Sequence, residues 1–320
     1  MAKNRLRPGR VLLAMGMIAG IVIGADNIRR DMLDPNSRLV VSGNFKSGSA
    51  QYAEVPTENQ KKLGNDLQTA TSFTGVQNLG YTELSLPSSR LNAGVLAIVD
   101  SKHAAGEVSS AGLVNLYDEK NACYSLVNND VRLDKDAAEA LNRMMADYHE
   151  ATSLSDFIVY GTTDTYTGAG SLCPQSFPES AMGTTVDLAL NGYGTAISYD
   201  GYDQEGWVLQ NCAKYGFIVR YPKGKESKTS QTFCPWHLRY VGNVHAAIIA
   251  EKGFCLEEYL EFLNDYTFDN AFVYNLNGVN YEIYSAVSLG DSTPVRVPIS
   301  GNYTISGNNS DRYIITTIKN

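Results

Sequence analysis

A short apolar run close to the N-terminus constrains this chain more than any other feature. Residues 11–25 carry no charge, four cations precede them, and Arg29 and Arg30 follow. Cations ahead of an apolar segment keep the N-terminus in the cytoplasm and direct the rest of the chain across the membrane. The run is shorter than the roughly 20 residues of a spanning helix and resembles the apolar core of a signal peptide. We therefore expect a single-pass membrane protein with its main domain outside the cytoplasm, anchored by residues 1–30; cleavage after Ala25, giving a secreted form, is the alternative.

The charge of the remaining chain limits its partners. The 320 residues contain 26 Lys and Arg against 34 Asp and Glu, and six of the cations but one of the anions lie in the first thirty residues. The part that follows therefore has 20 cations and 33 anions, a net charge of −13. Such a surface repels phosphate backbones, so no nucleic-acid partner is expected. With 43% hydrophobic and 19% charged residues, the composition is that of a globular protein.

Residue patterns divide the chain into four parts, residues 1–30, 31–90, 91–266 and 267–320. Residues 31–90 are polar and predict a stalk or loosely ordered lead-in. The apolar run 93–100 predicts the first strand. Residues 133–151 show helical spacing with Asp134 as a candidate cap. Further buried strands are predicted at 156–160, 186–190 and 216–221, and further helices at 206–214 and 255–264.

The pattern changes after residue 267. Short alternating segments separated by Gly and Asn turns predict strands at 272–274, 280–286, 293–297, 303–305 and 312–317. We expect residues 267–320 to form a small all-β appendage docked on a main domain of residues 91–266. The predicted fold class is α+β, with a small, mainly antiparallel sheet flanked by helices.

Two long motifs in the main domain are specific enough to indicate a family. They are YGFIVRYP at 215–222 and PWHLRYVG at 235–242, preceded by GTTVD at 183–187 and by Trp207. In this order they resemble the VanY-like zinc D-alanyl-D-alanine carboxypeptidases, and the resemblance extends from about residue 113 to 263. It implies a peptidase that trims the D-Ala-D-Ala end of stem peptides in the peptidoglycan of the bacterial cell wall.

The resemblance also implies a ligand set for zinc and a general base. The family binds the ion through His, Asp and a second His. Its general base is a Glu three residues before the second His. The Asp corresponds to Asp187 and the second His to His237, whereas Ser180 stands at the first His and Cys234 at the Glu. The predicted metal-site residues are therefore Asp187, His237 and Ser180, with Cys234 at the catalytic position.

The substrate-binding positions differ from the family as well. An Arg that binds the terminal carboxylate of the substrate in the family corresponds to Thr163. Arg239 is expected to buttress or line the cleft, so Thr163 and Arg239 are the predicted substrate-binding residues. A catalytic zinc usually has three protein ligands and an open position for water. A Ser hydroxyl is a poor zinc ligand, so the ion is expected to bind weakly, and without the Glu nothing obvious moves the proton of bound water.

Several alternatives remain open for Cys234 and for the protein. The thiol could be a third zinc ligand, an inert buried group, a disulfide partner of Cys173, or a nucleophile paired with His237. Asp187 alone could form a turn, and His237 could be a buried core histidine. The protein is either a zinc carboxypeptidase with a reworked site or a non-catalytic relative. Such a relative would bind a stem peptide, another cell-wall component or a protein partner.

Overall fold

The computed structural model describes residues 80–106, 112–160, 177–192, 195–203, 206–299 and 302–319. The predicted N-terminal anchor, most of the predicted stalk, and Thr163 and Cys173 lie outside these residues. None of the described helices is both long enough and apolar enough to cross a membrane.

Fourteen strands and six α-helices make up the described chain. The strands are β1 Tyr81–Pro87, β2 Leu113–Asn115, β3 Ser125–Leu126, β4 Arg132–Asp134, β5 Phe157–Tyr160, β6 Thr185–Gly192, β7 Thr195–Ser198, β8 Phe217–Tyr221, β9 Cys234–Tyr240, β10 Phe272–Leu276, β11 Val279–Val287, β12 Ser292–Pro298, β13 Tyr303–Gly307 and β14 Arg312–Lys319. The α-helices are α1 Leu116–Glu119, α2 Lys135–Thr152, α3 Trp207–Asn211, α4 Glu226–Thr229, α5 Asn243–Lys252 and α6 Leu256–Leu263.

A six-stranded sheet forms the centre of the main domain. Its strands run in the order β3, β5, β6, β9, β8, and β7 pairs with the distal half of β6. All neighbours are antiparallel except β3 and β5. Helices pack against the strands, so the predicted α+β class with a small, mainly antiparallel sheet is confirmed.

Helix α2 supplies the main apolar layer on this sheet. Asp134 is its N-cap, and the carboxylate accepts hydrogen bonds from the backbone N–H groups of Asp136 and Ala137. Apolar side chains recur at helical spacing, and those from Leu141 to Tyr148 are fully buried. They share one core with sheet residues such as Phe157 and Val186. The helix predicted at 133–151 is thereby confirmed.

The C-terminal strands form a sheet that packs on α5 and α6. The order is β10, β11, β14, β13, with all pairs antiparallel, while β1 and β12 form a separate antiparallel pair. Ile283 of β11 and Ile314 of β14 join a core that includes Ile248 of α5 and Leu260 of α6. All five strands predicted in this region are present, each extended by one or more residues.

The prediction of a strand at residues 93–100 is wrong. Leu96, Ala97 and Val99 are buried, but the segment follows turns and irregular backbone, with Gly94 at a φ of +102°. The backbone groups of this segment have other partners. The N–H of Leu96 donates to Ser306 Oγ at 2.9 Å, and the carbonyl oxygens of Val95 and Ala97 accept from Arg239. Apolar residues therefore reach the core here without a neighbouring strand.

Several further elements differ from the sequence expectation. Residues 81–87, within the range predicted as a stalk, form β1 because β12 supplies a full antiparallel partner. Strand β9 was not predicted, because its Pro and charged residues interrupt the alternating pattern of a strand. Helix α5 was not predicted, because apolar residues are spread around the helix instead of forming one face. The helix predicted at 206–214 is α3 followed by a 3-10 turn, Cys212–Tyr215.

Candidate functional site

Asp187 and His237 meet in the middle of the central sheet. They are directly opposite each other on the antiparallel strands β6 and β9. The Asp187 Oδ1 atom lies 2.5 Å from His237 Nδ1, and both side chains are buried. The predicted pair of metal ligands is therefore brought together.

A third group, Glu179, reaches the same imidazole from the turn before β6. This 3-10 turn, Pro178–Met182, ends at Gly183, whose φ of +70° lets the chain reverse into the strand. Glu179 is fully buried, and its Oε1 atom lies 3.1 Å from His237 Nε2 and accepts a hydrogen bond of 2.8 Å from the Tyr221 hydroxyl. Both nitrogens of His237 thus contact carboxylates.

Two arginines balance these carboxylates. The Glu179 Oε2 atom accepts from Arg220 Nε at 3.1 Å and from Arg239 Nη1 at 2.7 Å. Arg220 also forms a two-point pair with Glu257, at 3.1 and 2.7 Å. We call Glu179, Asp187, Arg220, His237, Arg239 and Glu257 the buried ionic cluster. It combines three acidic with three basic groups, and buried charges are tolerated when they are paired in this way.

Arg239 also connects the cluster to the irregular segment before β2. Its Nη2 atom donates to the carbonyl oxygens of Val95 and Ala97, both at 3.1 Å. The guanidinium is fully buried, and its Nη1 and Nη2 atoms donate to protein groups, whereas Nε has no hydrogen-bond partner among the described residues. In this structure Arg239 therefore buttresses the site, and its predicted contact with substrate remains a prediction.

The pKa shifts follow from these contacts. Burial alone would raise the pKa of Glu179, but Arg220, His237 and Arg239 together bring it far below its ordinary value. Burial alone would lower the pKa of His237, but Asp187 and Glu179 outweigh it and raise that pKa to about 9. At neutral pH the imidazole is therefore protonated, with both N–H groups donating to carboxylates.

Cys234 lies at the start of β9 as a free, buried thiol. Its Sγ atom donates to the carbonyl of Thr232 at 3.2 Å. Burial, with a further contribution from Asp187, raises the pKa of the thiol to about 11. A protonated thiol is a poor nucleophile. Because both nitrogens of His237 already donate to carboxylates, the imidazole has no free lone pair to act as a base for Cys234.

Ser180 is half-buried on the same turn as Glu179. None of the other three histidines of the sequence takes the place of the missing imidazole. His103 contacts Asp100, His149 contacts the carbonyl of Leu154, and His245 contacts the Tyr259 hydroxyl. His237 is therefore the single histidine of this site.

The residues present do not complete a catalytic zinc site. Asp187 and His237 supply two donors, and Glu179 is placed as the outer carboxylate that commonly orients a metal-binding imidazole. Three protein ligands are usual for catalytic zinc. Within the described ranges, no group of three His, Cys, Asp or Glu side chains could bind a metal ion. The missing donor is the one that the sequence replaces with Ser180.

Sequence reasoning missed Glu179 and Glu257. The signal that could have found them is the pair Arg220 and Arg239, which lie within apolar strand patterns. A guanidinium in a buried strand requires a carboxylate partner.

Comparison with known proteins identifies the family. The sequence profile described as "VanY: D-alanyl-D-alanine carboxypeptidase" matches residues 176–243, which include the turn, both central strands and the start of α5. A D-alanyl-D-alanine carboxypeptidase of Enterococcus faecium is 32% identical over 247 residues, covering 73% of this chain and 78% of that protein. The chain belongs to the VanY-like D-alanyl-D-alanine carboxypeptidase family.

One solved structure similar to this VanY-like chain agrees with it in fold. The vancomycin resistance D,D-dipeptidase VanXYg, solved with a D-Ala-D-Ala phosphinate analogue, has a TM-score of 0.63 at 24% identity and covers 75% of this chain and 99% of its own. A D,D-pentapeptidase VanY from a VanB-type resistance cassette, solved with Zn(II), has a TM-score of 0.35 at 23% identity and covers 52% and 98%.

Proposed function

We propose that this VanY-like protein is an exported, membrane-anchored cell-wall protein that binds peptidoglycan stem peptides without hydrolysing them. One observation carries the proposal. At the family's zinc position the chain provides Asp187 and His237, while Ser180 stands in place of the third ligand and none of the other histidines is near.

The site lacks two groups that hydrolysis requires, a third zinc ligand and a general base. With two donors instead of three, an ion would be bound weakly and would polarise water poorly. The position of the general base holds Cys234, whose raised pKa keeps it protonated, so it cannot accept a proton from water. His237 cannot replace it, since it is itself protonated between Asp187 and Glu179.

Family membership supports the stem peptide as the ligand, and the N-terminal sequence supports a location outside the cytoplasm. Relatives of this chain are D-alanyl-D-alanine carboxypeptidases, which makes a peptide ending in D-Ala-D-Ala the first ligand to test. The apolar run 11–25 with its flanking cations supports export with the N-terminal segment retained.

A zinc carboxypeptidase with a reworked site is the second candidate. It is favoured by the retained Asp187–His237 pair and by Glu179, whose contact with Nε2 would leave Nδ1 to a metal if the imidazole lost its proton.

Two assays on the purified protein separate these candidates. We expect no release of D-alanine from a pentapeptide ending in D-Ala-D-Ala, with or without added zinc, and saturable binding of the same peptide by calorimetry. The double variant Ser180→His, Cys234→Glu tests the missing groups directly, and adding Thr163→Arg should strengthen substrate binding further. Zinc-dependent release by the unmodified protein would establish the second candidate instead. Absence of both binding and release would reject the proposal.

A further inference from the structure

A cavity lies in the C-terminal β region and shares no residue with the buried ionic cluster. It has a volume of about 310 Å³ and opens between β11, β12 and the loop that follows α6. Small-molecule sites usually occupy about 300–1,000 Å³, so this cavity has room for one small ring. We call it the β12 pocket; its lining combines Phe268, Ala286 and Pro294 with the charged residues Glu83, Asp269 and Arg296.

Arg296 is positioned in this pocket by aromatic packing. Its guanidinium lies 4.9 Å from the centre of the Phe268 ring. That ring is fixed in turn by edge contacts with Tyr81 and Tyr284, at centroid distances of 5.0 and 5.5 Å. Such packing reduces the conformational freedom that a ligand would otherwise have to remove.

The donors of Arg296 are not consumed by its neighbours. The closest carboxylate oxygen, on Asp269, lies at 3.8 Å, which is too long for a hydrogen bond. Glu83 is directly opposite Arg296 in the pairing of β1 with β12. Across the described chain, no hydrogen bond of the Arg296 side chain competes with a ligand, and half of the side chain is exposed.

Charge and chemistry select the ligand. Two carboxylates and one guanidinium give the pocket a net negative charge, which disfavours phosphates and carboxylates. A ligand must donate to Glu83 and Asp269 and also accept from Arg296, and a hydroxyl group does both. The apolar wall suits the C–H face of a ring. We propose that the β12 pocket binds a neutral saccharide; the choice of the N-acetylated sugars of cell-wall glycan rests on the proposed function.

Calorimetric titration of the full chain with a tetrasaccharide of β-1,4-linked N-acetylglucosamine tests the proposal. We expect saturable binding that is about tenfold weaker in Arg296→Gln and in Glu83→Gln, because each variant replaces a charge-assisted hydrogen bond with a neutral one. Arg132→Gln is the matched control, since Arg132 is an exposed strand residue on β4, outside the pocket. Thermal unfolding of each variant shows that the fold is retained.

A second measurement does not depend on variants. In NMR spectra of the unmodified protein, the tetrasaccharide should shift the signals of Phe268 and Ala286. Absence of saturable binding, equal affinity of Arg296→Gln and wild type, or shifts confined to other regions would overturn the proposal. Displacement of the sugar by a D-Ala-D-Ala pentapeptide would assign the pocket to peptide and would also overturn it. The proposed function is tested by D-alanine release and by variants at Ser180 and Cys234, which do not line the β12 pocket, so failure here is separable from failure of the proposed function.

Discussion

Two fully enclosed histidines have opposite surroundings in this protein. His237 lies between the carboxylates of Asp187 and Glu179, and its pKa is raised to about 9. His245 lies between α6 and β14, where its ring nitrogens contact the Tyr259 hydroxyl at 2.7 Å and Thr316 Oγ1 at 3.2 Å. With neutral partners alone, burial lowers its pKa to about 4.

The comparison separates burial from charge pairing. Both imidazoles have lost contact with water, which by itself favours the neutral form. His237 is charged because its partners are carboxylates, whereas His245 joins the helices to the C-terminal sheet as an uncharged hydrogen-bonding group. The same residue type therefore belongs to an ionic site in one region and to an ordinary core in the other.

The largest expected effect comes from removing the centre of the ionic region. Glu179→Gln leaves Arg220, Arg239 and His237 without their shared carboxylate. Loss of one partner from a buried ion pair costs roughly 3–5 kcal/mol in the free energy of unfolding. Denaturation by urea at pH 7 measures this loss.

Glu257→Gln is the matched control for that variant. Glu257 also pairs with Arg220, but 17% of its side chain is exposed, so water can replace part of the lost interaction. We expect a smaller loss of about 1.5–3 kcal/mol, because hydrogen bonds to charged groups contribute amounts of this size. Equal losses for the two variants would show that Glu179 is not the centre of the cluster.

The pH dependence of stability should carry the signature of His245. Its pKa is about 4 in the folded state against 6.5 when unperturbed, so the unfolded chain binds more protons between these values. Stability is therefore complete above pH 6.5 and falls toward pH 4, by about 3 kcal/mol for this one group. His237 has the opposite sign, since its contribution is present below pH 6.5 and is lost as pH rises through about 9.

Comparison with His245→Leu isolates the first of these effects. The variant has no group that titrates at this position, so the difference in unfolding free energy between wild type and variant should shrink or reverse from pH 7 to pH 4. A difference that stays constant over this range would mean that His245 is not enclosed as a neutral group.

The smallest effect is expected in the hydrogen bonding of the neutral region. Thr316→Val keeps the shape of the side chain and removes the hydroxyl next to His245 Nε2. The loss should be about 1 kcal/mol, the typical net contribution of a neutral hydrogen bond. Thr317→Val, on the same strand, measures the effect of a similar substitution away from His245. A larger loss from Thr317→Val would contradict this assignment.

Regular periodicity made much of the fold predictable from the sequence. Helix α2 with its Asp134 cap and the five C-terminal strands follow from local pattern alone. The irregular segment 93–100 did not, because its partners, Ser306 and Arg239, are distant in the sequence. Strand β1 was missed for the same reason, since β12, some two hundred residues later, completes it.

Those site residues that lie within the motifs could be predicted from the sequence. The pairing of Asp187 with His237 required only that the two motifs lie on adjacent strands. Glu179 escaped notice because a single Glu in a turn carries no periodic signal, and its burial becomes evident only when Arg220 and Arg239 are seen to converge on it.

Zinc content tests the central claim, that the site retains two family ligand positions and has lost the third. Purified protein, dialysed with equimolar zinc and then against metal-free buffer, should retain well under one zinc per chain by elemental analysis, whereas Ser180→His with Cys234→Glu should retain close to one. One tightly bound zinc per chain in the unmodified protein, released by Asp187→Ala or His237→Ala, would contradict the account.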